Sequence, residues 1–201
     1  MNKFLILIAG YPGTGKSYLC RMITKEHSDF IIYSPDEVKE QFWDKYGFNN
    51  LDEKNHLIDL SWQHYYTSLK KFMTNNKNII SDYPFSDKQK NHLLNLAIQY
   101  DYKIITIRMT ADLNILFERQ KRRDLDATRH LGHILNKYNP NEPLFDRSNA
   151  EGLLSREEFF QRCLTRGYDT FQLGKLLTID VSDFSTADYT GLLTNLNDLL
   201  K

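Results

Sequence analysis

The residues most able to do chemistry in this chain are residues 10–17, GYPGTGKS, which directly follow the apolar run KFLILIA. Two glycines separated by four residues precede a lysine and a hydroxyl residue, the spacing G-x-x-x-x-G-K-[ST]. Glycine lets the backbone turn tightly, so that N–H groups and a helix N-terminus can face anionic oxygens. The pattern predicts a phosphate-binding loop formed by Gly10, Tyr11, Pro12, Gly13, Thr14, Gly15, Lys16, Ser17 and Tyr18.

Lys16 and Ser17 indicate which anion this loop would bind. In loops of this kind the lysine reaches the β- and γ-phosphates of a nucleoside triphosphate, and the hydroxyl holds Mg²⁺. We therefore expect ATP and Mg²⁺ as cofactors. Asp82, at the end of the apolar stretch NIISD, is the expected second metal ligand, or it orients an acceptor. A guanine-reading N-K-x-D is missing, because NKYN at Asn136 lacks the aspartate, which disfavours a regulatory GTPase.

Three further residues favour phosphoryl transfer. Asp36 follows the apolar run FIIYS and is the expected base that accepts a hydroxyl proton, although Glu37 and Asp82 remain alternatives. Arg119 and Arg123 are four residues apart on one predicted helical face, where they could stabilise the charge of a transferring phosphoryl group. The alternative is a nucleotide-binding switch or binding module that hydrolyses ATP slowly and has no acceptor.

Apolar runs and helical patterns alternate five times along the chain, which predicts an α/β fold with a parallel sheet and helices on both faces. Ligands in such sheets bind beyond the carboxyl ends of the strands, where residues 10–17, Asp36 and Asp82 would meet. A long helix from Asp52 to Met73 carries an apolar stripe, which we expect to pack in the core: Ile58, Trp62, Tyr65, Leu69 and Phe72. Helices are also expected to begin at Ser34, with a Ser34–Glu37 capping box, at Ser86, at Thr110 and near Ser185.

Four stretches, GYPGTGKS, SPDEVK, IISD and ERQKRRD, together resemble the phosphotransferase domain of polynucleotide 5′-hydroxyl kinases and their relatives, which include chloramphenicol phosphotransferase. The resemblance covers residues 3–125. It implies a P-loop NTPase fold with strand order 2-3-1-4-5 and the general base at Asp36. It also implies acceptor contacts at Lys39 and Asp82 and phosphate contacts at Arg119 and Arg123. Lys39 stands where the polynucleotide kinases carry arginine, so bidentate phosphate recognition is lost there.

The segment from Thr128 to Ser148 is rich in asparagine and proline and lies between two helical patterns. Long irregular segments in compact domains are often lids or binding loops, so we expect a lid or acceptor-binding segment around residues 119–150 of a single domain spanning residues 1–201. Arg129 and His130 are the candidate acceptor contacts, and a solvated loop is the alternative. DLDAT at Asp124 echoes a phosphatase D-x-D-x-T motif, but no apolar strand precedes it, so no phosphatase site is expected.

The composition of the chain indicates which class of acceptor and which cellular location to expect. The chain has 26 Lys+Arg and 26 Asp+Glu residues, and this balance favours a small-molecule or nucleotide acceptor over nucleic acid. Aromatic residues near the expected acceptor pocket could stack on a ring or simply pack: Tyr33, Phe42, Trp43, Tyr46 and Tyr83. The two cysteines show no metal or redox spacing, and no apolar run is long enough for a signal peptide or a membrane span, so a cytoplasmic location without membrane contact is expected. The oligomeric state is left open.

Overall fold

The computed structural model of the chain describes residues 3–142 and 146–201. Within these residues strands and helices alternate as the sequence predicts. The elements are β1 (Phe4–Gly10), α1 (Lys16–Glu26), β2 (Phe30–Ile32), α2 (Pro35–Tyr46), α3 (Leu51–Thr74), β3 (Asn78–Asp82), α4 (Asp87–Tyr100), β4 (Lys103–Thr110), α5 (Leu113–Leu125), α6 (Arg156–Thr165), β5 (Lys175–Asp180) and α7 (Tyr189–Leu200). Short 3₁₀ turns cover Leu131–His133 and Arg147–Asn149.

The five strands form one parallel sheet in the order β2-β3-β1-β4-β5, which confirms the predicted fold class and strand order. β1 is central and buried along its whole length. Its alternate side chains enter two separate cores: Ile6 and Ile8 pack with α1 and α7, whereas Leu5 and Leu7 pack with α3 and α4. A strand covered on both faces needs a continuous apolar run rather than alternation, and KFLILIA supplies one.

The sheet register brings two predicted site regions together. Ile8 of β1 pairs with Asp82 of β3, so the loop after β1 and the acid that ends β3 lie at the same carboxyl edge. The N-terminus of α2 reaches the same edge, because Ser34 Oγ donates a hydrogen bond of 3.2 Å to the Asp82 carbonyl. The fold therefore gathers these segments at one opening.

Two helix starts and one helix cap differ from expectation. Thr110 belongs to β4, and Asp112 caps α5 instead by accepting from the Asn114 and Ile115 amides. The last helix begins at Tyr189 rather than near Ser185, because residues 183–186 form a turn in which Asp183 accepts from Ser185. Ser34 is the N-cap of α2 but makes no side-chain cap, since its hydroxyl is committed to the Asp82 carbonyl.

The stripe on α3 is only partly core. Tyr65 and Leu69 are fully buried, as predicted, whereas Ile58 and Trp62 face an internal cavity. No helix among the described residues is long and apolar enough to cross a membrane.

Candidate active site

A cavity of about 1630 Å³ opens at the carboxyl edge of the sheet. Its walls come from the loop after β1, the N-terminus of α2, one face of α3, the end of β3, α5, α6 and residues 129–136. The volume exceeds the roughly 300–1,000 Å³ of an ordinary small-ligand pocket, so it has room for two substrates side by side.

The glycine loop has the geometry of a phosphate cradle. Gly10, Gly13 and Gly15 all have positive φ, at 118°, 85° and 82°, a region that other residues rarely adopt. At Gly10 space also excludes a side chain, because a Cβ there would lie 2.1 Å from the Met109 carbonyl oxygen. The loop runs directly into α1, so its amides and the helix N-terminus face the same point.

Lys16 lies across this cradle. Its Nζ donates to the Gly10 and Tyr11 carbonyl oxygens at 3.2 and 2.7 Å. Burial lowers the Lys16 pKa to about 8, and nearby Arg123 adds to this, while Asp82 and Asp36 oppose it. A half-buried ammonium whose hydrogen-bond acceptors within the described residues are neutral oxygens of its own loop is suited to an incoming anion.

Ser17 and Asp82 meet as the sequence predicts. Ser17 Oγ donates to Asp82 Oδ2 at 2.7 Å, and Asp82 is almost fully buried. A hydroxyl and a carboxylate are the hard oxygen donors that Mg²⁺ prefers when substrate phosphates supply the rest of its shell. Among the described residues no group of three or more His, Cys, Asp or Glu side chains could hold a metal ion. A metal here would therefore need the triphosphate as a partner.

Asp36 also lines the cavity, at the start of α2, and forms an ion pair with Lys39. Lys39 Nζ lies 3.1 Å from Asp36 Oδ1 and donates to the Tyr83 hydroxyl at 2.8 Å. The ammonium also lies over the Tyr83 and Trp62 rings, 4.1 and 5.6 Å from their centroids. Only 6% of Lys39 is exposed. The side chain expected to contact the acceptor is thus occupied by protein partners.

Asp36 is in a strongly positive environment. Burial opposes its ionisation, but Lys39, His133, Arg129 and Arg123 together outweigh burial and hold the pKa of Asp36 well below its ordinary value. The carboxylate is therefore ionised throughout the physiological range. Glu37, the alternative base, is exposed and does not line the cavity, and burial together with nearby carboxylates raises its pKa.

The two predicted catalytic arginines differ in whether their side chains already have protein partners. Arg119 donates to the Val181 and Ser182 carbonyls at 2.7 and 2.8 Å, and its guanidinium stacks on Phe184 at 3.8 Å. Arg119 thus lines the cavity while anchored to the segment after β5. Arg123 is exposed, lines the cavity and has no hydrogen bond or ion pair among residues 3–142 and 146–201. Arg123 is the one of the two that is free to meet a phosphate.

The predicted lid, residues 119–150, begins inside α5, which ends at Leu125. We call residues 126–142 and 146–152 the lid; residues 143–145 of the predicted segment lie outside the described residues. Its hydrophobic residues form a small core of their own that includes Ile134, Leu135 and Ala150. Arg147 joins two parts of the lid by donating hydrogen bonds to the Arg129 and Ala127 carbonyls at 2.8 and 3.0 Å. The segment is folded, not a solvated loop.

The lid docks on α2 through paired histidines. His130 Nδ1 accepts from the Gly132 amide, which leaves Nε2 to donate to Asp44 Oδ1 at 2.9 Å. His133 Nε2 lies 2.7 Å from Glu40 Oε1. Both ring nitrogens of His130 are therefore taken by protein atoms, whereas Arg129, the other candidate acceptor contact, lines the cavity.

Trp43 explains much of this docking. It is buried under the lid, against Phe48, Leu57 and both histidines, so it packs rather than offering a stacking face. A Cβ on Gly132 would lie 2.3 Å from its ring. Two further contacts join the lid to the rest of the protein. Phe48 and Tyr138 form an isolated β-bridge, and Lys54 Nζ donates a hydrogen bond of 2.8 Å to the Leu135 carbonyl.

DLDAT does not form a phosphatase loop. Asp124 lies within α5, is nearly fully buried, and accepts from Gln120 at 2.7 Å while facing Arg129. Its role is to hold the lid arginine in place. Sequence reasoning missed several residues that shape the site, because nothing in the local sequence marks their distant partners: Lys54, Tyr83 as a hydrogen-bond acceptor, His133 and Arg147.

Comparison with known proteins agrees with this geometry. The family described as AAA domain (AAA_33) matches residues 5–137. A crystal structure of a kinase candidate from Chloroflexus aurantiacus superposes with a TM-score of 0.76 at 22% identity, covering 98% of each chain. A gluconokinase from Sinorhizobium meliloti gives 0.51 at 10% identity, covering 90% of this chain and 84% of the other.

A chain of the Pnkp1/Rnl/Hen1 RNA repair complex gives a TM-score of 0.54 at 14% identity, covering 87% of this chain and 48% of that one. No curated protein matches this chain by sequence. At such low identities the structural likenesses establish the fold, which is that of the P-loop kinases.

Proposed function

Because this chain belongs to the AAA domain family and has a P-loop kinase-like fold, we propose that it is an ATP-dependent kinase that transfers the γ-phosphate to a hydroxyl group of an acceptor. One observation carries the proposal. The glycine loop with Lys16, Ser17 and Asp82 and the carboxylate of Asp36 line a single cavity. A phosphate donor and an acceptor bound there would meet between them.

ATP and Mg²⁺ fit the residues on the donor side. The loop amides and Lys16 would hold the β- and γ-phosphates, and Ser17 and Asp82 would hold the metal. Mg²⁺ there would neutralise charge on the triphosphate. Phe184 lies 3.3 Å from the position that a Cβ on Gly15 would take, and Arg119 stacks on the Phe184 ring. These two side chains therefore border the donor site.

On the acceptor side Asp36 is the proposed base. Its Oδ1 is held by Lys39, which leaves Oδ2 to face an incoming hydroxyl. As the acceptor oxygen bonds to the γ-phosphorus, the bond from that phosphorus to the ADP oxygen breaks, and Asp36 takes the hydroxyl proton. A carboxylate held strongly ionised is a weak base at rest, so proton transfer is expected late, when the attacking oxygen has become acidic. Arg123 would stabilise the charge on the transferring oxygens.

Transfer of label tests this function. The protein is incubated with γ-labelled ATP, Mg²⁺ and separate pools of sugars, nucleosides, nucleotides and oligonucleotides, and each pool is analysed for labelled product. A labelled acceptor is expected, with the small-molecule and nucleotide pools favoured. Label released only as inorganic phosphate from every pool would instead indicate the slow nucleotide switch.

The assignment of Asp36 has its own control. Asp36→Asn is expected to keep ATP affinity and to lose at least about a hundredfold in transfer. Glu37→Gln, the neighbouring acid outside the cavity, is expected to stay near the wild-type rate. The opposite ranking of the two variants would move the base to Glu37.

A further inference from the structure

A second cavity, of about 590 Å³, branches from the first beside Ser17. Four arginines from three segments line it, and we call it the arginine groove: Arg21 of α1, Arg122 and Arg123 of α5, and Arg129 of the lid. Arg21, Arg123 and Arg129 also line the main cavity, so the groove and the proposed reaction site are continuous.

The groove lacks compensating charge. Its two carboxylates already have partners, because Glu40 pairs with His133 at 2.7 Å and Asp126 accepts from both the amide and the hydroxyl of Thr128. Within the described residues Arg21, Arg122 and Arg123 make no ion pair. The guanidinium groups of Arg21, Arg122 and Arg123 are therefore available to an anion, whereas Arg129 lies 3.6 Å from Asp124 Oδ1.

Arg129 is the most constrained of them. Only 11% of its side chain is exposed, and its Nε has no hydrogen-bond partner, although Asp124 Oδ1 lies 3.6 Å away. Burial lowers the Arg129 pKa to about 10, and Arg123 lowers it further, against Asp36, Asp124 and Glu40. A buried guanidinium beside a like charge, with one long contact to a carboxylate and an N–H that makes no hydrogen bond, has hydrogen-bonding capacity left for an anion.

The groove shares Ser17 with the triphosphate cradle and extends away from the glycine loop. Arg21 lies one helical turn beyond Ser17, away from the glycine loop, and Glu40 lies one turn beyond Asp36 on α2. Arg123 and Arg129 both act electrostatically on Asp36. An anion in the groove would thus lie near the proposed base rather than along the donor.

The contacts that Lys39 already makes also favour the arginine groove as the place where an anion of the acceptor binds. Its ammonium is committed to Asp36 and Tyr83, so it cannot also bind a charged group of the acceptor. Any anionic group on the acceptor must be met elsewhere, and planar guanidinium forks suit the three oxygens of a phosphate better than a lysine does.

Building on the proposed kinase function, we propose that the arginine groove binds a phosphate group carried by the acceptor, so that the substrate is a phosphorylated alcohol. Its free hydroxyl would face Asp36 while its phosphate lies among Arg21, Arg122 and Arg129.

Binding of inorganic phosphate tests the groove without catalysis. The protein is first saturated with Mg²⁺ and the non-hydrolysable analogue AMP-PNP, which fills the donor site, and the midpoint of thermal unfolding is then followed as phosphate is added. Phosphate should raise the midpoint in the wild type and in the control Lys25→Gln/Lys121→Gln, which removes two exposed charges outside both cavities. Arg21→Gln/Arg122→Gln should abolish the rise. An equal rise in all three proteins, or none in the wild type, would overturn the site.

Transfer between matched acceptors tests the substrate class. Ribose 5-phosphate is compared with ribose, glycerol 3-phosphate with glycerol, and a 5′-hydroxyl oligonucleotide is included at two salt concentrations. The phosphorylated member of each pair should have the higher kcat/KM, and the arginine double variant should remove about ten- to hundredfold of it, so that the preference over the neutral alcohol is lost. Preference for the oligonucleotide with a steep salt dependence would identify a nucleic-acid phosphate as the source.

The two proposals can fail separately. Labelled neutral alcohols without any phosphate preference would overturn the phosphate subsite and leave the kinase intact. Phosphate binding that depends on the groove, with no labelled acceptor, would overturn the kinase and with it the role of the groove in acceptor recognition.

Discussion

The donor side and the acceptor side of the cavity are built by different kinds of contact. Lys16 bonds to carbonyls five and six residues before it, and the glycine loop is a single stretch of chain. The lid contacts that shape the acceptor side join residues far apart, such as Tyr138 to Asp44 across 94 positions. The glycine loop of the donor side therefore follows from chemistry common to all triphosphates, although Asp82 joins it from 65 positions away, whereas the acceptor side depends on this chain's tertiary packing.

The strongest test of this comparison is to remove the donor-side charge. Lys16→Met keeps most of the side-chain volume but loses the buried ammonium, and we expect at least about a hundred- to thousandfold loss of transfer because the β- and γ-phosphates lose their charged partner. Measured kcat/KM for ATP should show the loss. Lys25→Met, exposed on the same helix, is the control. A variant within about threefold of the wild type would mean that the loop does not hold the donor.

A second test uses pH to probe the acceptor side. Lys39→Met removes the nearest cation from Asp36, leaving His133, Arg129 and Arg123, so the pKa of Asp36 should rise towards its ordinary value. Because the base must be ionised, activity is lost as pH falls through that pKa, and the acidic limb of the pH profile should move upward. Asp36 stays ionised at neutral pH in both proteins, so the roughly tenfold lower rate that we expect there would come from lost positioning of the carboxylate by Lys39.

Lys39→Arg is the conservative partner of this experiment and should restore the position of the acidic limb. Lys45→Met, on the exposed part of α2, should leave the profile unchanged. A limb that stays fixed in Lys39→Met would show that Lys39 does not set the ionisation of the base.

The contrast between the two sides also explains which structural features could be predicted from the sequence. The glycine loop and the buried strand before it are marked by local residue types and periodicity, so the order of strands and helices and the Ser17–Asp82 contact could be predicted. Periodicity placed α3 correctly, but it could not show that Ile58 and Trp62 face a cavity, because a cavity-lining stripe and a core stripe look the same in sequence.

Side-chain roles were less predictable because each depends on a partner distant in sequence. Lys39 has the expected charge for an acceptor contact, yet the Tyr83 hydroxyl, 44 residues away, takes it. Arg119 has the expected spacing for phosphate binding, yet carbonyls 62 and 63 residues later hold it. A motif specifies which side chains are available, and only the tertiary fold shows which of them remain unpaired.

A third test disturbs the lid alone. Gly132→Ala would place a methyl carbon against the Trp43 ring, where the ideal position is 2.3 Å from the nearest ring carbon. Relieving that overlap should move the lid and cost about 1–3 kcal/mol of the free energy of unfolding. We expect KM for the acceptor to rise severalfold with KM for ATP unchanged. Asn141→Ala, exposed in the same segment, is the control, and an equal rise in both KM values would contradict separate donor and acceptor sides.

The smallest expected effect comes from Tyr83→Phe, which removes one hydroxyl and keeps the ring under Lys39. The lost hydrogen bond of 2.8 Å is worth about 1 kcal/mol, so the transfer rate should fall about two- to fivefold, while the contact between the ammonium and the ring, at 4.1 Å, persists. The decisive measurement is the double variant with Lys39→Met. If Tyr83 acts only by holding Lys39, the phenol should have no effect once the ammonium is gone, and the two losses will not add. Additive losses would instead mean that Tyr83 contacts the acceptor directly, and the acceptor side would then be larger than the Asp36–Lys39 pair.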